Sequence, residues 1–359
     1  MGMEIDIFNE ILRLMPEGWE AKAKELGALK RARGIKSPAL LLKLILIYVT
    51  EGKSFAGTKA LIELSEGIKI SKVAVFKRIQ KCMRWLKWLC ENICRQAGLL
   101  NEKPKWLQNK NVLLVDGSED TKGGKNPNYY MLHYSVELFT LSVREILLSD
   151  IKTGEKLSNF NKLGKEDIVM GDRAYTTLNG LEYLMEKGTG YVLRMNAGKF
   201  HIYNDEKQKI DILECFSRLK ALETADIYAN CLINGRYEPV RICAIRKDRE
   251  SEEAGLKRLS KTNQRKKGNK EVSALQKENN KYTMVITSIG KEASAEQILN
   301  LYRARWQIEI AFKRLKSIFH YNEMPARQPE NIKTWFYGKL LLAALCETMV
   351  NTGRFSPSG

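Results

Sequence analysis

The chain has 359 residues, with 60 lysines and arginines against 42 aspartates and glutamates and a net charge of +18. That length allows one large domain or two to three smaller ones, each able to bury a core. The basic excess points to a polyanionic partner, nucleic acid before membrane, with a merely basic soluble protein as the less favoured alternative.

No stretch reads as a membrane span. The most apolar run, A-L-L-L-K-L-I-L-I-Y-V from Ala39, is too short and carries Lys43. The first residues are acidic and amphipathic, unlike a secretion signal. The seven cysteines contain no C-x-x-C pair and the three histidines are scattered. They read as reduced thiols of a cytoplasmic, nucleoid-associated protein, and they argue against zinc.

Residues 1–102 form the first expected domain, all-α. Pro38 opens the Ala39 run as a helix. A second helix, F-A-G-T-K-A-L-I-E-L, starts at Phe55, and a third follows Ser71 as N-cap. Phe76, Ile79, Met83, Leu86, Cys90 and Ile93 give that third helix one apolar seam at spacings of three and four. Cys82, Cys90 and Cys94 read as packing residues. Residues 1–100 hold 18 basic and 10 acidic side chains. A helix-turn-helix-like DNA-binding module and an ordinary bundle with a basic face both fit.

Lys103-Pro104-Lys105 marks a linker, and the texture then changes. N-V-L-L-V-D, M-L-H-Y-S-V-E-L-F-T and S-V-R-E-I-L-L-S-D read as three strands, followed by a short helix near Lys156–Leu163. D-I-V-M-G-D is a fourth strand. This order opens an RNase H-like α/β core over residues 103–190, in which the first and fourth strands lie side by side and bring Asp116 and Asp172 together. After a helix at about Asn179–Lys187, residues 191–290 read as a β-rich insertion: G-Y-V-L-R-M-N, K-F-H-I-Y, D-I-Y-A-N-C-L-I, P-V-R-I-C-A-I and K-Y-T-M-V-I-T-S are strand-like. Within it, residues 246–281 carry 12 basic and 6 acidic side chains. They read either as a solvated helical arm or mobile loop, or as a contact to DNA phosphates.

Residues 291–359 complete the core. Ser294 and Gln297 make a capping box for a long helix, residues 294–319. On it Tyr302, Arg305, Glu309 and Lys316 fall at about 0°, 300°, 340° and 320° around the axis, one narrow stripe. Leu301, Ile308, Phe312, Leu315 and Phe319 form an apolar face beside it. A nearly all-apolar helix follows Pro329, suited to a core or a partner subunit.

Three converging carboxylates, Asp116, Asp172 and Glu309, need cations. Oxygen ligands favour Mg²⁺, with Mn²⁺ as a substitute. Two such ions about 3.5–4 Å apart would support in-line attack at phosphorus. Arg305 and Lys316 would meet phosphate, as would Arg173 beside Asp172. Trp306, off the apolar stripe, offers a stacking surface for an unpaired base. Asp116 is preferred over Glu119 and Asp120 because it ends the apolar strand; the loop behind it would approach DNA through Lys122 and Lys125.

At these residues the sequence resembles the insertion-sequence-four type of DDE transposases. Its signature Y-x2-R-x3-E-x6-K stands here as Tyr302, Arg305, Glu309 and Lys316, and V-D-G-S and G-D-R-A-Y are similar to its two aspartate motifs. The resemblance covers about residues 38–340. It implies binding of terminal inverted repeats and target DNA and Mg²⁺-dependent cut-and-paste transposition through a DNA hairpin. It assigns the metals to Asp116, Asp172 and Glu309 and the terminal phosphates to Tyr302, Arg305 and Lys316. It gives Trp306 to a flipped base, and it implies a homodimer in the synaptic complex. Some relatives pair through a longer C-terminal region than the one expected here. The alternatives are an RNase H-like nuclease that does not join strands and a catalytically inactive DNA-binding regulator.

Overall fold

The computed structural model describes residues 7–30, 34–50, 54–96, 102–121, 129–141, 143–267, 271–305 and 329–351. Along the chain come α1 (Ile7–Arg13), α2 (Trp19–Glu25), α3 (Pro38–Thr50), α4 (Phe55–Glu66), α5 (Lys72–Lys81) and α6 (Met83–Gln96). Then follow β1 (Asn111–Thr121), β2 (Tyr129–Glu137), β3 (Val143–Asp150), β4 (Asp167–Gly171), α7 (Leu178–Glu186), β5 (Gly190–Met195), β6 (Ile202–Tyr203), β7 (Lys209–Ile210) and α8 (Ile212–Cys215). The remainder is β8 (Thr224–Ile233), β9 (Arg236–Arg246), α9 (Arg249–Lys267), α10 (Ala274–Asn280), β10 (Tyr282–Thr287), α11 from residue 295, described to 305, and α12 (Pro329–Asn351). The chain divides into two units: Met1–Glu102 with Gly117–Thr153 and Gln307–Gly359, and Lys103–Asp116 with Gly154–Trp306.

In the first unit α12 packs along α6 and touches α3 and α5. Its side of that contact is Trp335, Phe336, Tyr337, Leu340, Leu341 and Leu345, all buried. The Cys90 thiol donates to the Tyr337 carbonyl at 3.2 Å, and Trp85 stacks on Trp19. Ser71 caps α5 by accepting from the Ala74 amide at 3.1 Å. The single seam expected across residues 72–96 is broken into two helices at Cys82. Its amide donates to Ile79, three residues back, rather than four, while its carbonyl starts α6 by accepting from Leu86. Burial of Cys82 and of both flanking apolar sets holds the break shut. No helix among the described residues is long and apolar enough to cross a membrane. β2 and β3 pair antiparallel, with a register shift at Ser135/Val136.

The second unit is built on a mixed sheet in the order β1-β4-β5-β10-β9-β8-β6-β7. β1, β4 and β5 are parallel; β10, β9 and β8 continue the sheet antiparallel. β4 is buried at every position, as a run of Ile, Val and Met flanked by covered strands must be. Its register with β1 is pinned at one end, where the Asn111 amide side chain donates to Asp167 Oδ1 at 2.9 Å. Leu113, Val169, Leu181, Leu193, Phe216 and Ile242 belong to one core that runs under the sheet.

The β-rich insertion is continuous with the core sheet, because β10 pairs with β5 from Met284↔Met195 to Thr287↔Val192. The helix expected at Lys156–Leu163 is only a 3-10 turn at Leu157–Asn159; the chain then bends where Gly164 donates to Asp167 Oδ2. The hydrophilic stretch is helical, one of the two default readings, and forms α9 and α10, with Asn263, Asn279 and Asn280 buried. All seven cysteines are free thiols.

Candidate active site

β1 and β4 pair in parallel up to Leu114↔Met170. Asp116 and Asp172 each stand two residues beyond that last pair; Asp172 directly follows β4, whereas β1 runs on to Thr121, so Asp116 lies mid-strand rather than ending the strand as expected, and Glu119 and Asp120 belong to the same strand. Along a strand, side chains two apart share a face. Both acids are half-buried. Asp172 is held by its own turn: its Oδ1 accepts the Ala174 amide at 2.7 Å. Thr176 fastens that turn to β5, its hydroxyl lying 2.7 Å from the Arg194 carbonyl and 3.2 Å from the Asp172 carbonyl.

Tyr175 follows Asp172 by three residues. It is 1 % exposed, and its hydroxyl is buried without a hydrogen-bond partner. Burial pushes its phenol far above the ordinary value, and the charges of Asp116, Glu155 and Asp172 push the same way. The group therefore stays protonated. Arg173 is pulled down to about 10 by burial and by Arg194, against the opposite pull of Tyr302 and Asp172; it remains a cation at neutral pH.

The expected capping box is present on α11: the Ser294 amide donates to Gln297 Oε1 at 2.8 Å, and the Gln297 amide to Ser294 Oγ at 3.2 Å. Leu301 is buried, as expected of the apolar face. Tyr302 and Arg305 are buried as deeply, at 3 % and 4 % exposure, instead of standing on a solvated border. The Arg305 guanidinium lies over the Tyr302 ring, 4.9 Å from its centroid, which offsets part of the cost of removing that charge from water.

The structure places Asp116 on β1, Asp172 and Arg173 directly after β4, and Tyr302 and Arg305 in the third and fourth turns of α11. Glu309, Trp306, Lys316, Lys122 and Lys125 lie outside the described residues. Among the described residues no group of three or more His, Cys, Asp or Glu is placed to hold a metal ion. Two carboxylates in register fit a hard divalent cation as a partial, all-oxygen ligand set. The reading of the sequence missed Tyr175, Arg194, Lys247 and Arg258. Arg194 carried a signal, a lone charge inside an otherwise apolar strand; Tyr175 carried none beyond its place three residues after Asp172.

Residues 107–345 match the family described as a transposase DDE domain. The chain is 29 % identical over 343 residues to the putative transposase InsL of insertion sequence element IS186A of Escherichia coli (strain K12), covering 93 % of this chain and 91 % of that protein. It is 29 % identical over 344 residues to the transposase of IS421 of Escherichia coli, with the same coverage. It is 24 % identical over 399 residues to the transposase of IS231F of Bacillus thuringiensis subsp. israelensis, covering 96 % and 80 % of the two chains.

Proposed function

The chain belongs to the transposase DDE-domain family, and we propose that this insertion-sequence transposase cuts and joins DNA by metal-dependent phosphoryl transfer beside β1 and β4. The observation that supports this reading is the parallel register of β1 with β4 up to Leu114↔Met170, two residues before Asp116 and Asp172. Asp116, Asp172 and Glu309 would hold Mg²⁺, or Mn²⁺ in its place. When bound, the ions supply Lewis acidity at phosphorus and compensate the charge of the acids. Arg173 neutralises phosphate charge beside Asp172, and Tyr302 with Arg305 holds the DNA end on α11. Trp306 stacks on a base displaced during hairpin formation, while Lys316, Lys122 and Lys125 add phosphate contacts.

On this reading the helical first unit recognises the terminal inverted repeats. α4, the turn at Gly67 and α5 have the layout of a helix-turn-helix, with Lys72, Val73 and Lys77 exposed on α5. Two copies synapse the two ends, and the core is RNase H-like. The test is incubation of the full chain with the DNA ends flanking its own gene and Mg²⁺, scored on a denaturing gel. Nicks, hairpins and joined strands are expected, and Asp172→Asn should bind the ends yet give none of them. Nicks without joining would make it a nuclease. Binding without any cleavage by the wild type would make it a regulator.

A further inference from the structure

In the second unit a cavity of about 400 Å³ opens where α9 and α10 meet the ends of β5 and β9. Four cations line it: Arg173 after β4, Arg194 on β5, Lys247 just past β9, and Arg258 on α9. None of its described lining residues is an acid. The Nε atoms of Arg173 and Arg194 are buried and make no hydrogen bond. Lys247 donates to a neutral group, the Asn280 carboxamide oxygen, at 3.2 Å. The charge of Asp172 reaches Arg173, and that of Glu252 reaches Lys247.

The cavity is built by specific contacts. Asn279 accepts the Ala197 amide at 2.8 Å and so ties α10 to the end of β5. Asn280 donates to the Glu252 carbonyl at 2.8 Å and ties α10 to α9. α9 passes so close that a Cβ on Gly255 would collide with the Asn280 carboxamide. Like charges gathered by such scaffolding weaken the fold unless an anion joins them. Burial, with Arg194, Arg173 and Arg258 nearby and Glu252 opposing, pulls Lys247 down to about 8.

We infer that this cavity binds one phosphate group and that its carrier is the DNA backbone. The arginine forks and the lysine point charge are the chemistry that recognises phosphate. The volume exceeds what a bare ion needs and admits the attached sugar. A neighbouring cavity of about 660 Å³ shares Arg194, Lys247 and Arg258 and is lined besides by Arg246, Tyr302 and Arg303, with Asp248 and Glu250 opposing them, so a net basic surface continues to α11. A continuous track of that kind suits a polymer better than a lone ion. The phosphate site stands on the cavity alone; the DNA carrier rests on the transposase reading above.

The full chain is first titrated with inorganic phosphate, following thermal midpoint and calorimetric heat, beside Lys247→Met and Arg258→Gln. Arg258 is exposed, so its loss leaves the fold intact. The wild type should be stabilised saturably by phosphate. The variants should start at an equal or higher midpoint and gain nothing; cations with a purely structural role would lower it. A wild type with no saturable response, or variants that keep it, overturns the site. In a second arm, duplexes from the ends flanking its own gene carry a neutral methylphosphonate at one position at a time, with affinity read without divalent metal. One or two positions should weaken wild-type binding about 5- to 10-fold and cost Arg258→Gln nothing further, the mark of a direct coupling. A normal phosphate titration with no coupled position overturns the DNA carrier and leaves free phosphate as the source. Nicking with Mg²⁺ is scored in parallel. Its absence in the wild type would sink the transposition reading alone, since neither other readout needs cleavage.

Discussion

Two arginines of the same sheet show opposite treatment of a buried cation. Arg241 on β9 is 5 % exposed and fully engaged. Its Nε pairs with Asp226 at 2.6 Å, and one terminal nitrogen donates to the carbonyls of Ile289, Gly290 and Ala293. Tyr228 lies against its guanidinium. Those carbonyls belong to the loop that leads into α11, so Arg241 is a fastener. Arg194 on β5 has a buried Nε with no partner and three more cations around the same cavity. Satisfied buried charge marks scaffold, and unsatisfied buried charge marks a place kept for a ligand.

The largest effect should come from exchanging the two roles. Arg241→Leu leaves the loop carbonyls without a donor and Asp226 without its pair, and should lower unfolding free energy by about 3 kcal/mol. Arg194→Leu should be neutral or raise it, by up to about 1 kcal/mol, because it removes an unsatisfied donor. Denaturant titrations of both variants give the two signs, and equal losses would erase the distinction.

A middle-sized effect is expected from Lys247. Arg173, Arg194, Arg258, Glu252 and Asn280 face it, and its ammonium loses its proton near pH 8 instead of near its ordinary value. Sulfate, whose charge is constant in this range, should therefore bind more weakly as pH rises above about 8. Stability without an anion should rise over the same range up to the ordinary lysine value near 10.5, since only the unfolded chain keeps the proton there. Lys247→Met should flatten both curves; an unchanged slope would show that another group titrates.

The smallest effect is a control in the other unit. His133 is fully buried, with Nε2 2.9 Å from Ser149 Oγ, and burial lowers its pKa. Its neutral form contributes stability in full above the ordinary value near 6.5. That contribution should fade by up to about 1 kcal/mol as the pH drops and the unfolded chain takes the proton first. His133→Gln should remove this acid slope between pH 7 and 5 in calorimetry and leave the alkaline behaviour of Lys247 untouched.

The strands that carry the acids were legible because V-L-L-V-D and I-V-M-G-D are short apolar runs ending in a charge, and parallel pairing does the rest. The caps at Ser71 and Ser294 were legible because a hydroxyl before a helix has one obvious use. Cys82 was not, because a 3.6-residue apolar period survives a helix break that preserves the same buried face. The pairing of β10 with β5 was hidden as well. Nothing local distinguishes a strand of an added sheet from one that extends the old sheet. Tyr302 and Arg305 fell on the expected stripe, yet their depth depends on what covers α11, which no helical wheel contains. Lys247 and Arg258 looked like ordinary members of a charged arm until α10 closed over them.

The pairing of β1 with β4 has one more consequence, for how such a chain can change length. The strands that lead to the two acids are joined by backbone pairing up to Leu114↔Met170, and most of the fifty-odd residues between the acids serve as connection. Closing a longer loop costs little more than closing a short one, so insertions there leave the carboxylates where they are. One residue added inside Val112–Val115 would instead turn Asp116 to the opposite face of the sheet. Divergence of this chain is therefore cheap between its motifs and forbidden within them, a division of mutational freedom set by strand geometry.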